Sequence, residues 1–140
     1  MSTQTPPRGP LPEPTPVSKP YWDAAHKHVL SIQRCTDCGV HIFYPRGACP
    51  GCGSDALQWT EASGRGKVYS FTIARRPTAR EFVDKVPYVI AIIELDEGPH
   101  MASNVVDCDP ESVRVGQPVE AVFEDVSDEI TLVRFRPVDA

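Results

Sequence analysis

The chain has 140 residues, of which 41% are hydrophobic and 24% charged. This length suits one compact unit or two very small ones, and the apolar content is close to that of globular proteins. Its 14 basic and 19 acidic residues give a net charge of -5, which disfavours bulk binding to a phosphate backbone unless the cations are clustered.

The apolar segments are too short for a membrane span. The longest runs from Tyr88 to Leu95 and has the length of a strand, whereas a bilayer requires roughly 18–20 residues. The N-terminus also lacks a hydrophobic signal core. We therefore expect a cytoplasmic protein, in which the five cysteines indicate metal binding more than disulfides.

Residues 1–18 are predicted to be a disordered tail. They contain almost no large apolar side chain, so they cannot bury enough surface to offset the entropy of ordering. Their composition favours extended polyproline-like conformers, and the alternative role is a peptide that docks in an aromatic groove. The prolines of this segment are Pro6, Pro7, Pro10, Pro12, Pro14 and Pro16.

Residues 19–34 are predicted to form a short helix and a lead-in strand. Ser18 is placed as the cap, a proline follows in the first turn, and we expect the helix to end near His28. Tyr21 and Trp22 are large apolar groups for so short a helix. They either pin the helix to its own domain or bind another chain, so they are candidate partner-binding residues.

Residues 35–62 carry two copies of a metal-binding motif. Each motif is Cys-x-x-Cys-Gly, and the spacing lets both thiolates reach one metal from a tight turn while the glycine takes a left-handed conformation. Ten residues separate the pairs, enough for a short hairpin with residues 40–43 as one arm. The predicted ligands are Cys35, Cys38, Cys49 and Cys52.

The predicted metal is a structural zinc ion. Four thiolates complete a tetrahedral shell and leave no position for a catalytic water, so His41 is interpreted as a surface residue. Iron in a rubredoxin-type electron carrier is the alternative. Structural zinc contributes roughly 10–16 kcal/mol of apparent binding free energy, which can replace the missing core of so small a segment.

Residues 63–138 are predicted to form a five-stranded barrel of the OB type, with a three-plus-two sandwich as the alternative. Tyr69, Phe71 and Ile73 are expected on one face of the first strand. The second strand is a β-branched run suited to burial on both sides. The five predicted strands span 67–74, 88–95, 100–106, 119–124 and 130–136.

The sequence contains no motif that predicts catalysis by this chain alone. Cys108 lies between Asp107 and Asp109 in sequence, with no base or cation beside it to form a thiolate, so it is interpreted as a packing residue. The nucleophile elbow, the Walker loop and the dinucleotide fingerprint are all lacking.

A basic loop connects the first two barrel strands. The loop contains four cationic residues but only two acidic ones. Guanidinium groups can bind phosphate oxygens in a bidentate manner. This connection borders the ligand-binding face of OB barrels. A solvated loop remains the alternative to a phosphate site formed by Arg75, Arg76, Arg80 and Lys85.

Together these segments resemble the zinc-ribbon-containing OB-fold family over roughly residues 20–138. The motifs that carry the resemblance are Tyr21-Trp22, Arg34-Cys35-x-x-Cys38-Gly39, Tyr44-Pro45-Arg46, Cys49-Pro50-x-Cys52-Gly53-Ser54, Trp59, Ser63-Gly64-x-Gly66-x-Val68-Tyr69-Ser70-Phe71-Thr72, Pro87-Tyr88, Glu94-Leu95-Asp96-Glu97-Gly98, Val113-Arg114-x-Gly116-x-Pro118-Val119 and Phe135-Arg136-Pro137. The resemblance implies an N-terminal helix, a rubredoxin-like zinc ribbon and a C-terminal OB barrel.

The resemblance also implies a non-catalytic accessory subunit of a thiolase-superfamily enzyme. Such partners include acyl-CoA thiolases, hydroxymethylglutaryl-CoA synthase-like enzymes and lipid-transfer-protein-like aldolases that shorten steroid side chains. In this hypothesis the basic loop binds the CoA phosphates, an aromatic residue among Tyr69, Phe71 and Tyr88 binds the adenine, and the chain helps to seat the thioester. The alternative function is a module that binds single-stranded nucleic acid.

Overall fold

The computed structural model describes residues 11–77, 80 and 83–138. These residues form one α-helix, a small sheet and a barrel, in agreement with the predicted mainly-β fold. In this described part of the chain, no helix combines the length and hydropathy of a membrane span. The elements are α1 (Lys19–His26), β1 (Ser31–Cys35), β2 (His41–Ile42), β3 (Leu57–Glu61), β4 (Arg65–Ala74), β5 (Tyr88–Leu95), β6 (His100–Val105), a 3-10 helix (Pro110–Ser112), β7 (Pro118–Asp125) and β8 (Thr131–Pro137).

Ser18 occupies the predicted N-cap position of α1, but its side chain makes no capping hydrogen bond to the helix and bonds the preceding turn at Thr15 instead. Thr15 Oγ1 accepts a hydrogen bond from the Ser18 backbone N–H at 3.1 Å, and Ser18 Oγ accepts one from the Thr15 N–H at 2.9 Å. This reciprocal pair has the pattern of a capping box. The last residues of the predicted tail are therefore ordered, whereas residues 1–10 lie outside the described part. The helix ends at His26, two residues earlier than predicted.

The three strands β2, β1 and β3 form an antiparallel sheet with β1 at its centre. Strand β1 ends on Cys35, and β2 lies in the hairpin arm that the spacing predicts. The sheet begins at Ser31, before the first cysteine, and β3 leads directly into the barrel. The ribbon and the barrel are therefore joined by one short connection, residues 62–64.

The last five strands close into a barrel in the order β4-β5-β6-β8-β7. All neighbouring pairs are antiparallel except β6 and β8, which are parallel where Val105 lies opposite Phe135. Closure through β4 and β7 satisfies both strand edges of the sheet. It confirms the predicted barrel and excludes the three-plus-two sandwich.

The core extends from the barrel into the helix. Phe135 and Ile93 are fully buried inside the barrel, and the same cluster includes Tyr21 and Ala25 of α1. Strand β5 alternates in burial, with 40% of Ile90 exposed on its outer face, so the prediction that β5 is buried on both sides is wrong. The outer face of β5 is therefore available as a surface.

Strand β4 contains a bulge that changes which of its side chains point into the barrel. Its register with β5 shifts between Val68 and Ser70, so the residues that point inward are Val68 before the bulge and Phe71 after it. Tyr69 is 53% exposed, and the prediction that it shares a face with Phe71 is wrong. A bulge places an extra residue in one strand and redirects its side chain, an irregularity that alternation alone does not predict.

Candidate metal centre and binding surface

The four predicted ligands converge at one point. The Sγ atoms of Cys35, Cys38, Cys49 and Cys52 all lie within 4.8 Å of one another. The Cys35–Cys52 and Cys38–Cys49 Sγ pairs are each separated by 3.6 Å. A tetrahedral zinc ion with Zn–S distances of about 2.3 Å requires S···S separations of about 3.8 Å. The thiol cluster therefore has the size of a zinc–tetrathiolate site.

The two knuckles position their sulfurs in the same way. Gly39 and Gly53 have φ values of 83° and 77°, and each donates its N–H to the carbonyl oxygen of the first cysteine of its motif. The left-handed conformation predicted from the glycines is thus confirmed. Substitution of either glycine by an L residue would strain the turn that holds the thiolates.

Backbone donors favour the thiolate form of the buried ligands. The backbone N–H of Cys38 lowers the pKa of the Cys35 thiol to about 7, and the backbone N–H of Cys52 lowers the pKa of the Cys49 thiol. Since zinc binds the thiolate and not the thiol, these N–H groups reduce the free energy needed for metal binding. The donor set fits a structural zinc ion, whose contribution is to cross-link the two knuckles.

His41 and Cys108, which the sequence analysis placed outside the metal site, are not among the four clustered side chains. Within the described residues, no second group of three or more His, Cys, Asp or Glu side chains has metal-binding geometry. Cys108 is half-buried and packs against the barrel core.

The basic loop lies at the carboxyl end of β4. Arg75 binds Glu111 of the 3-10 helix at 2.6 Å, so its charge is partly neutralised. Arg76, Arg80 and Lys85 are exposed. Tyr88 begins the next strand opposite Ala74, and it is half-buried beside this loop. The structure thus brings an aromatic residue and the predicted cations to one end of the barrel.

The aromatic residues of α1 have different environments. Tyr21 is 7% exposed, and burial raises its pKa, so its side chain belongs to the chain's own core. Trp22 is half-buried and lines a groove of about 480 Å³ together with Phe43, Tyr44 and Leu132. Of the two candidate partner-binding residues, Trp22 is therefore the accessible one.

Sequence reasoning missed the residues at the edge of this groove. Arg134 donates to the Glu124 carboxylate and to Asn104 Oδ1, and Tyr44 accepts a hydrogen bond from the Ala102 N–H at 3.3 Å. The partners of these pairs are 10, 30 and 58 residues apart in sequence. Because no local motif encodes such pairs, only the alternation of strand β8 points to Arg134 as an outward residue.

Comparisons with known proteins identify the family. Residues 22–58 match the family model described as the rubredoxin-like zinc ribbon domain of ChsH2, and residues 59–124 match its C-terminal OB-fold domain. A DUF35 domain-containing scaffold protein of Methanothermobacter thermautotrophicus is 41% identical over 74% of this chain and 77% of its own length. The chain belongs to the ChsH2 (DUF35) family.

Two further similar proteins have names that refer to enzymes. A probable enoyl-CoA hydratase alpha subunit of Thermomonospora curvata is 38% identical over 84% of this chain, but the match spans only 36% of that protein. A solved structure described as the Ltp2-ChsH2(DUF35) aldolase contains a chain that is 35% identical, with a TM-score of 0.82. That match covers 91% of this chain and 98% of the other.

Proposed function

We propose that the chain is an accessory subunit without catalytic groups of its own, and that it binds a thiolase-superfamily enzyme and an acyl-CoA. One observation carries this proposal: the chain matches nearly the full length of a ChsH2 chain whose structure is described as an aldolase with Ltp2. The scaffold names of other relatives support the same role. The reacting groups then come from the partner enzyme.

The metal site has a structural role in this proposed division of labour. Among the described residues, the only group of three or more His, Cys, Asp or Glu side chains with metal-binding geometry is the four-cysteine site, and its complete thiolate shell has no position for a substrate. The zinc ion therefore stabilises the ribbon, and the ribbon and helix present surfaces to the partner.

The basic loop is the best candidate for the CoA phosphates. Tyr69 lies six residues before Arg75, which corresponds to roughly 20 Å along an extended strand, whereas Tyr88 begins its strand beside the loop. The adenine and phosphates of CoA are neighbours in one nucleotide, so Tyr88 suits the adenine better than Tyr69 does. Phe71 packs against the core and is less suitable.

A titration with CoA tests the role of the loop. We expect Arg75→Ala/Arg76→Ala to weaken binding of CoA at least tenfold in calorimetry. The matched control is Arg65→Ala/Lys67→Ala, which removes the same charge at the opposite end of β4 and leaves the affinity within about twofold. Glu111→Ala releases Arg75 and is expected to strengthen binding. Equal effects of the two double variants would refute a specific role of the loop.

Purification from the native host tests the partner. A tagged full-length chain is expected to retain, at low salt, a protein whose sequence has thiolase-type motifs, identified by mass spectrometry. A preparation in which the chain elutes alone at its monomer mass, under conditions that preserve its zinc, would contradict the accessory role.

A further inference from the structure

A groove runs between helix α1, the segment 43–45 of the ribbon and the outer face of strands β6 and β8. We call it the aromatic groove. It has a volume of about 480 Å³, within the range of small-molecule sites. Its walls are Trp22 on one side and Phe43, Tyr44 and Pro45 on the other, and its floor includes Ala102 and Leu132.

The polar edge of the aromatic groove carries no net charge. Arg134 is only 18% exposed, and its guanidinium group is neutralised by Glu124 and hydrogen-bonded to Asn104. A ligand carboxylate or phosphate would therefore compete with Glu124 for the same donors. This arrangement favours an uncharged apolar ligand with few hydrogen-bonding groups.

A larger depression on the other side of α1 has a different chemistry. Besides apolar residues such as Trp22 and Ile130, it is lined by charged side chains that include Lys19, Asp23, Asp128 and Glu129. Lys19 and Asp23 form an exposed ion pair there, and an apolar group bound beside these side chains would remove part of their hydration. The aromatic groove has a single formally charged lining residue, Arg134, which is already paired, so an apolar ligand removes less charge from water there than in the larger depression.

An uncharged surface connects the basic loop to the aromatic groove. The outer positions of β5 after Tyr88 are Ile90 and Ile92, and their neighbours on β6 are Asn104 and Ala102. Asn104, at the edge of the groove, pairs with Ile90, which lies two residues after Tyr88 on β5. The strand geometry therefore places Tyr88 and Asn104 about 8 Å apart. The extended pantetheine arm of CoA is long enough to cross this distance.

We propose that the aromatic groove binds the apolar acyl group of the acyl-CoA whose phosphates lie at the basic loop. This inference rests on the proposed function, because it assigns the acyl group of the same ligand. The pantetheine arm crosses the uncharged face of β5 and β6, and the thioester between the two ends stays accessible to the partner enzyme. The chain thus discriminates among acyl groups through hydrophobic contact, without taking part in the reaction.

The probe that isolates the groove is S-octanoyl-N-acetylcysteamine, which carries an acyl thioester but no phosphates. Binding to the zinc-loaded full chain is followed by tryptophan fluorescence and by calorimetry. The Trp22→Phe variant shows which part of the fluorescence change comes from Trp22 in the groove. We expect Ala102→Arg, which places a long charged side chain on the groove floor, to weaken binding at least tenfold. Gln58→Arg, at an exposed position of β3 that does not line the groove, is the matched control and should leave binding unchanged.

The same variants distinguish the groove from the loop. Octanoyl-CoA is expected to bind at least tenfold more tightly than CoA in the wild type, and Ala102→Arg should abolish this difference while CoA binding persists. Equal affinities for octanoyl-CoA and CoA, or octanoyl thioester binding that survives Ala102→Arg, would overturn the inference while leaving CoA binding intact. A wild-type protein that binds the octanoyl thioester but not CoA would instead contradict the loop assignment of the proposed function.

Discussion

Removal of one zinc ligand tests the physical basis of the ribbon. Cys52 is the ligand of choice because it is exposed, so Cys52→Ser removes a thiolate with little loss of packing. Cys108→Ser makes the same chemical change at a cysteine outside the cluster and is the matched control. A difference between the two variants therefore reports metal ligation.

The structure sets the expected magnitude. The separate core of the ribbon consists of Cys35, Ile42 and Cys49, with Leu57 packed against it, so two of its three buried members are themselves ligands. Ile42 alone contributes no more than about 3 kcal/mol on burial. If four thiolates share the roughly 10–16 kcal/mol of structural zinc equally, each contributes about 2.5–4 kcal/mol. This corresponds to a decrease in melting temperature of roughly 10 °C for a chain of this size.

The assay combines thermal melting with elemental analysis of zinc. Cys52→Ser is expected to bind less zinc and to melt at a lower temperature, whereas Cys108→Ser keeps the wild-type zinc content and nearly the wild-type melting temperature. A chelator should lower the melting temperature of the wild type in the same way. The reasoning fails if native protein contains no stoichiometric metal and the melting curve is insensitive to the chelator.

Two further predictions concern the barrel. Gly66→Ala is expected to destabilise the fold by at least about 1–3 kcal/mol, because a Cβ there would lie 2.4 Å from the Glu94 carbonyl oxygen; Gly47→Ala, with open space around it, is the control in urea unfolding. Asp125 has a lowered pKa because of hydrogen bonds from the Thr131 hydroxyl and from His28. Its ionised form therefore contributes stability above about pH 4 that is lost as the pH falls through the folded-state pKa. The difference in urea midpoint between wild type and Asp125→Asn should be present at pH 7 and decrease at pH 3; a difference independent of pH would contradict this origin.

The metal centre could be predicted from the sequence because its determinants are local. Two residues between cysteines and a following glycine fix the geometry of each knuckle, and Gly39 and Gly53 have the left-handed conformation that this pattern requires. The bounds of β5 were also predictable, since a β-branched run between turn residues fits a strand of that length. These features depend on interactions within a few residues.

The features that could not be predicted depend on long-range contacts or local irregularities. The bulge at Tyr69 shifts which residues of β4 point into the barrel after Val68, and the alternation of apolar and polar residues in the sequence does not predict it. Ser18 is the predicted N-cap residue of α1, but its hydroxyl accepts a hydrogen bond from the Thr15 N–H in the preceding turn and caps no N–H of the helix, which residue preference alone does not predict. The ion pair between Arg75 and Glu111 joins residues 36 apart, so the sequence predicted a cationic loop without its partial neutralisation.

The zinc ion and the aromatic groove are connected through the chain between the knuckles. Phe43, Tyr44 and Pro45 lie between the second and third cysteine ligands, and the side chain of Gln33 holds this segment through two hydrogen bonds of 2.8 Å to the Arg46 backbone. The Tyr44 hydroxyl then accepts a hydrogen bond from the floor strand β6. Loss of the metal would release one wall of the groove while the barrel floor stays in place. In the proposed acyl site, a zinc ion without a catalytic position would therefore contribute to ligand binding by fixing where that wall lies.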